Sequence, residues 1–88
     1  MESEVRLVLD GVEHELWYAD GQAPDQVVRE TEERIVKMFD GTGPVPMVIS
    51  VVPPGGGTSV FLHIRPGTVT SAMVYRTPEP KQYRTYSG

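Results

Sequence analysis

Three groups of residues in this chain have types that could do chemistry. They are the stretch Val51-Val52-Pro53-Pro54-Gly55-Gly56-Gly57-Thr58-Ser59-Val60, the two histidines His14 and His63, and the acidic run Glu30-Thr31-Glu32-Glu33. A glycine run can cradle a phosphate when its backbone N–H groups converge at a helix N-terminus and a Lys and a Ser or Thr follow the last glycine. Here Gly57 leads into Thr58-Ser59 and then Val60-Phe61-Leu62-His63-Ile64, a strand-like run with no lysine. The spaced glycines of a dinucleotide loop and the Gly-x-Ser-x-Gly of a nucleophile elbow are also missing. Proline cannot donate to a sheet ladder, so Pro53-Pro54 ends one strand and the glycines let the chain reverse into the next. The stretch reads as a strand connection.

The histidines read no more chemically. Metal binding needs them to converge with other ligands, usually three or more in all. Glu13 and Glu15 flank His14, but strand alternation turns them to the opposite face. Ser71 with His63 matches no nucleophile–base motif. The acidic run is spaced as the solvated back of an amphipathic helix. We therefore expect no enzyme, no catalytic residues, no metal and no cofactor.

Size and charge narrow the classes further. A chain of 88 residues holds one core. Hydrophobic residues make up 39% and charged residues 23%, the balance of a globule rather than a disordered chain. No apolar run approaches the roughly 20 residues that span a bilayer, and Met1-Glu2-Ser3-Glu4 is no signal peptide, so no membrane role is expected. There is no cysteine, which excludes thiolate zinc sites and fits a reducing, cytoplasmic compartment. A net charge of −4 argues against a broad grip on nucleic acid. Lys is scarce and Asn absent while Val, Gly and Pro abound, a coding bias from which a bacterial source is expected.

Several elements must position these residues. Residues 4–18 predict a β-hairpin turning at Asp10-Gly11, with Leu9 facing Val12, Leu7 facing His14 and Val5 facing Leu16 on one apolar side. Val8 with Glu13 and Arg6 with Glu15 fall on the other side. Residues 24–39 predict a helix, with Pro24 in its first turn and Gly41 as its stop. Its apolar stripe is Val27, Val28, Thr31, Ile35, Met38 and Phe39, while Val36 lies outside it. Glu30 with Arg34 and Glu33 with Lys37 are spaced for ion pairs. Three more strands are expected at Met47–Val52, Ser59–Arg65 and Val69–Arg76, the last two joined by a type II turn at Arg65-Pro66-Gly67-Thr68. That turn would pair Phe61 with Ala72, His63 with Thr70 and Val60 with Met73.

The expected architecture is α+β: a hairpin, a helix, then three strands, with one helix on one face of a largely antiparallel sheet. Residues 1–76 form the domain, and 77–88, polar with two prolines, a flexible tail. Over residues 4–76 the order of elements resembles the β-grasp (ubiquitin-like) fold; a simple antiparallel meander on one helix fits as well. The ubiquitin-like modifiers end in a diglycine, whereas this chain ends Tyr86-Ser87-Gly88, so the resemblance implies no conjugation role.

The sheet face away from the helix is the surface to which function is assigned. It is expected to carry Trp17, Val48, Phe61 and His63, with Arg65, Thr70, Ala72 and Val74. An apolar face with no cover within the chain often binds something, and Trp is a favoured anchor. The expectation is a small interaction or regulatory module that binds a protein partner, a homodimer among the options. Its alternative is a domain for single-stranded nucleic acid or a small ligand around Phe61, His63 and Arg65, faintly like an RNA-stacking platform, though with no RNP signature.

Overall fold

Asp10 and Gly11 reverse the chain with φ of 50° and 86°, the positive values that a type I′ hairpin turn requires. Strands β1 (Val5–Leu9) and β2 (Val12–Leu16) therefore pair in the expected register, with Leu9 opposite Val12, Leu7 opposite His14, Val8 opposite Glu13 and Arg6 opposite Glu15. The structure, a computed structural model, describes residues 4–77 and 84–87.

Helix α1 spans Pro24–Asp40, with Asp25 in its first turn and Lys37 in its last, each at the dipole end that favours its charge. Gly41 closes it, donating its N–H to the Lys37 carbonyl. Val27, Val28, Thr31, Ile35 and Met38 are buried, Phe39 packs on the core, and Val36 is exposed. The expected pair of Glu30 with Arg34 gives way to other partners. Glu30 accepts from the Gln26 amide at 3.1 Å, and Arg34 donates to the Val48 carbonyl. Arg6 likewise meets Glu4 at 2.8 Å and Glu13 at 4.0 Å rather than its cross-strand neighbour Glu15.

Strands β3 (Met47–Val52), β4 (Val60–Ile64), β5 (Ser71–Arg76) and β6 (Thr85–Ser87) complete a six-stranded sheet. Its order is β4-β3-β2-β1-β5-β6 and every pairing is antiparallel. One helix on one face of this sheet is the α+β arrangement. The first four strands run as a meander, and the β-grasp likeness extends to element order alone.

Two expectations are corrected. There is no β4–β5 hairpin: Arg65-Pro66-Gly67-Thr68 makes a 3₁₀ turn, with the Thr68 N–H on the Arg65 carbonyl at 3.0 Å, and β5 pairs with β1. The free side of β1 offers a matching alternation, so Leu7 meets Val74 and Leu9 meets Ala72 beneath the helix. The Asp10 carboxylate receives the arriving chain, accepting from the Thr70 N–H at 3.0 Å, the Thr70 hydroxyl at 2.6 Å and the Ser71 N–H at 2.8 Å. The second correction concerns the expected tail. Thr85–Ser87 is a strand on the outer side of β5, with Tyr86 opposite Ala72 and packed on the core. Its polar neighbours mask the one ring that docks it. Residues 78–83 and 88 of that expected tail lie outside the described residues.

The helix lies chiefly over β5, with β1 and β6. Val5, Leu7, Ile35, Met47 and Val74 are the most deeply buried side chains. Toward the glycine stretch the helix-side face is less covered, and Val12 and Val60 stay 58% and 48% exposed. No helix among the described residues is long and apolar enough to cross a membrane.

The Asp10 clamp should show in the acid limb of stability. Hydrogen bonding from the Thr70 hydroxyl, then from the Ser71 and Thr70 backbone, holds the Asp10 carboxyl below its ordinary 3.8. A carboxyl depressed on folding contributes stability that is fully present above its unfolded pKa and is lost as pH falls through the folded one. Urea unfolding of wild type and Asp10→Asn should therefore differ by a constant margin above about pH 5, and the margin should close below 3.8. A margin unchanged down to about pH 2 would refute the clamp.

Candidate interaction surface

Leu16 and Val51 are partners and both are buried under the helix-side face, so the residues flanking them turn the other way. Trp17, one residue beyond Leu16, donates its N–H to the Ser50 carbonyl at 3.0 Å, and Ser50 lies opposite Phe61. Phe61, Ser50 and Trp17 thus form one row across β4, β3 and the end of β2. With strands about 4.8 Å apart, the backbones carrying the two aromatics stand roughly 10 Å apart over a small serine. Phe61 is 70% exposed and Trp17 49%. Val48, opposite His63, extends this area on one side; Val52, opposite Glu15, extends it on the other. His63 and Arg65 are exposed and Val48 is half-buried.

The expected surface is corrected at three positions. Ala72 and Val74 are 1% and 0% exposed and belong to the core, because pairing with β1 rather than β4 turns them toward the helix. Thr70 lies outside the strand, bound to Asp10 and nowhere opposite His63. Trp17, Val48, Phe61 and His63 are brought together, with Arg65 at the end of β4. Ser50 and Val52 complete the area and were not anticipated. Their signal was available: a hairpin across the glycine stretch sets Ser50 opposite Phe61.

Charge divides the face. The middle carries Arg6, Glu13 and Glu15, and Tyr75 donates its hydroxyl to Glu13 Oε1 at 2.6 Å. That hydrogen bond, with burial and the nearby carboxylate charge, raises the Tyr75 pKa above its ordinary 10. Residues 41–76, by contrast, contain no Asp or Glu at all, although the whole chain has 12. Strands β3 and β4 therefore carry no carboxylate on an otherwise acidic molecule, with Glu15 of β2 at their border and His63 and Arg65 exposed among the apolar side chains.

The other candidate groups do not assemble. Gly55, Gly56 and Gly57 all have positive φ, and the Gly56 N–H closes on the Pro53 carbonyl at 3.0 Å. They form the turn between β3 and β4, with Val51 opposite Val60 at its base. His14 is half-buried on the helix-side face opposite Leu7, as expected. It borders a shallow cleft of about 310 Å³ with Arg6, Glu13, Glu15 and the Pro53–Gly56 turn, and no hydroxyl, thiol or lysine lines it. Among the described residues no three His, Asp or Glu side chains group to hold a metal ion. Comparison with known families, with curated proteins and with solved structures finds no match to this chain.

The Tyr75–Glu13 bond links β5 to β2 across β1 and anchors the charged middle. Tyr75→Phe should lower the unfolding free energy by roughly 1–2 kcal/mol in urea, since the hydroxyl donates to an ionised acceptor. A change within about 0.3 kcal/mol would show that the bond contributes nothing net.

Proposed function

We propose that this chain is a small non-enzymatic protein-interaction or regulatory module that docks a protein through the β3–β4 end of its sheet. A second copy of the chain is the simplest such partner. The observation that carries this reading is the row Phe61–Ser50–Trp17, which sets two exposed aromatics in one line across the end of the sheet away from β5, with Trp17 also bordering a cleft beside Val27, Glu30 and Arg34 of α1. Exposed aromatics of this kind are the side chains on which protein interfaces concentrate binding energy. Two chains of charge −4 repel, and the acid-free composition of residues 41–76 keeps carboxylates off β3 and β4, where that repulsion is least concentrated. A cytoplasmic setting fits a chain with no cysteine.

A second reading, binding of single-stranded nucleic acid or a small ligand, has one observation in its favour. Phe61 and His63 stand exposed on one strand face with Arg65 following and no carboxylate on β3 or β4. Salt-dependent binding of single-stranded RNA, lost in Phe61→Ala, would establish it; no binding at low salt would end it.

Sedimentation from low to high micromolar concentration tests the protein-docking reading. The 9.7 kDa chain should move toward twice its mass, and Phe61→Lys should weaken that association by roughly tenfold or more. A monomer at high micromolar concentration, with Trp17 emission solvent-quenched and insensitive to concentration, would overturn homodimerisation through this surface.

A further inference from the structure

Strand β4 forms one edge of the sheet, and the register shows which of its backbone groups lack a partner strand. In an antiparallel pair a residue's N–H and C=O point to the same side, and successive residues point to opposite sides. The Ser50 carbonyl is bound to Trp17 on the β2 side, so Ile49 and Val51 direct their groups at β4. Their partners Leu62 and Val60 are thereby engaged, and the N–H and C=O of Phe61 and His63 point outward. The Val48 carbonyl obeys the same rule. It faces the β2 side beyond the end of β2, and the Arg34 guanidinium takes it up. Among the described residues, no backbone hydrogen bond outside the strand ladders reaches Phe61 or His63.

Edge strands are ordinarily guarded by Lys, Pro, a bulge, an inward charge or brevity. Val60-Phe61-Leu62-His63-Ile64 contains no Lys, Arg, Pro or acid, whereas the opposite edge, β6, is three residues long. On the helix side the β4 edge is buried only toward Ile64, since α1 lies chiefly over β5. Val60 and half-buried Leu62 show on the helix side, and Phe61 on the other.

We propose that β4 is the pairing edge of a symmetric dimer, in which a second copy adds its own β4 antiparallel with Leu62 opposite Leu62. This deepens the reading above and rests on it, naming the partner and the geometry. The five-residue strand is self-complementary about Leu62. Phe61 of each copy meets His63 of the other, and these are the outward-facing residues that exchange N–H···O bonds, about four in all. On the helix side half-buried Leu62 meets Leu62 and exposed Val60 comes beside Ile64, which is already buried in its own copy, while Phe61 meets His63 on the other face. Ser59 comes opposite Arg65, and no like charges face each other. The two aromatic rows then lie side by side on one continuous sheet. The symmetry is isologous and closes at two copies.

The chain has no cysteine, so a single introduced thiol reports the register directly. Leu62 would sit in a non-hydrogen-bonded pair with itself, where Cβ atoms approach within disulfide range. Leu62→Cys, oxidised as the purified full chain, should form a covalent dimer at least about tenfold faster than Phe61→Cys, although Phe61 is the more exposed residue. A second variant guards against a misfolded cysteine mutant. His63→Pro removes an outward N–H that an edge strand can spare, so it should keep the wild-type circular dichroism yet associate roughly tenfold more weakly. His63→Ala should associate like wild type. Equal cross-linking at both positions, in a dimer that survives His63→Pro and shifts Trp17 emission, would mean face-to-face packing; that overturns the edge and leaves the proposed function standing. A wild-type chain that stays monomeric at high micromolar concentration overturns the β4 dimer and leaves docking of a different protein as the reading of this surface.

Discussion

The Asp10 carboxylate joins parts of the chain about sixty residues apart, and the sheet order depends on where it holds them. Its residue is also the first of the two that turn β1 into β2. One side chain therefore serves the hairpin turn and receives the start of β5. Once β5 is laid beside β1, Ala72 and Val74 fall under the helix, and the pairing of β3 with β4 is left at the far side of the sheet. Had β5 returned alongside β4, the edge with Phe61 and His63 would have been buried inside the sheet.

The position of the helix has a similar consequence. Its apolar stripe from Val27 to Met38 covers the core chiefly at β5, where small Ala72 and branched Val74 let it approach. Arg76 to Asp25, at 3.0 Å, and the Tyr86 hydroxyl to Glu32, at 3.3 Å, tie it to that same side. A single helix of 17 residues does not cover six strands equally. The uncovered end keeps Val60 and Phe61 in water, and burial of such surface favours association.

Much of this was legible in the residues, and the reasons for the rest are physical. Asp10-Gly11 fixes a turn by its backbone requirements, and the turn fixes the register from Leu9–Val12 to Arg6–Glu15. The helix stripe follows from a 3.6-residue period, and Gly41 from the end of it. Both are local signals. The partner of β5 is not local: Pro66-Gly67 suits a tight turn whether the next strand pairs back or travels on. That ambiguity placed Ala72, Val74 and Thr70 on the wrong surface, while Trp17, Val48, Phe61 and His63, set by nearer pairings, fell together. Tyr86 shows the same limit, since one ring among polar residues carries no period, yet it docks where β5 leaves an open side.

Charge makes this end of the molecule distinct from the rest. Carboxylates crowd α1 and the β1–β2 hairpin, but none occurs between residues 41 and 76, so the least repulsive approach for another chain is toward β3 and β4. Exposed Phe61 and Trp17, outward-directed backbone of Phe61 and His63 and the lack of carboxylates on β3 and β4 coincide there, and the proposed docking of a protein rests on that coincidence. The amide hydrogen exchange of Phe61 and His63, followed by NMR as protein concentration rises, tests this most directly. Our account predicts that both amides, directed to solvent in the monomer, become protected in step with association. Fast exchange of both at every concentration, in a chain that nonetheless associates, would contradict it.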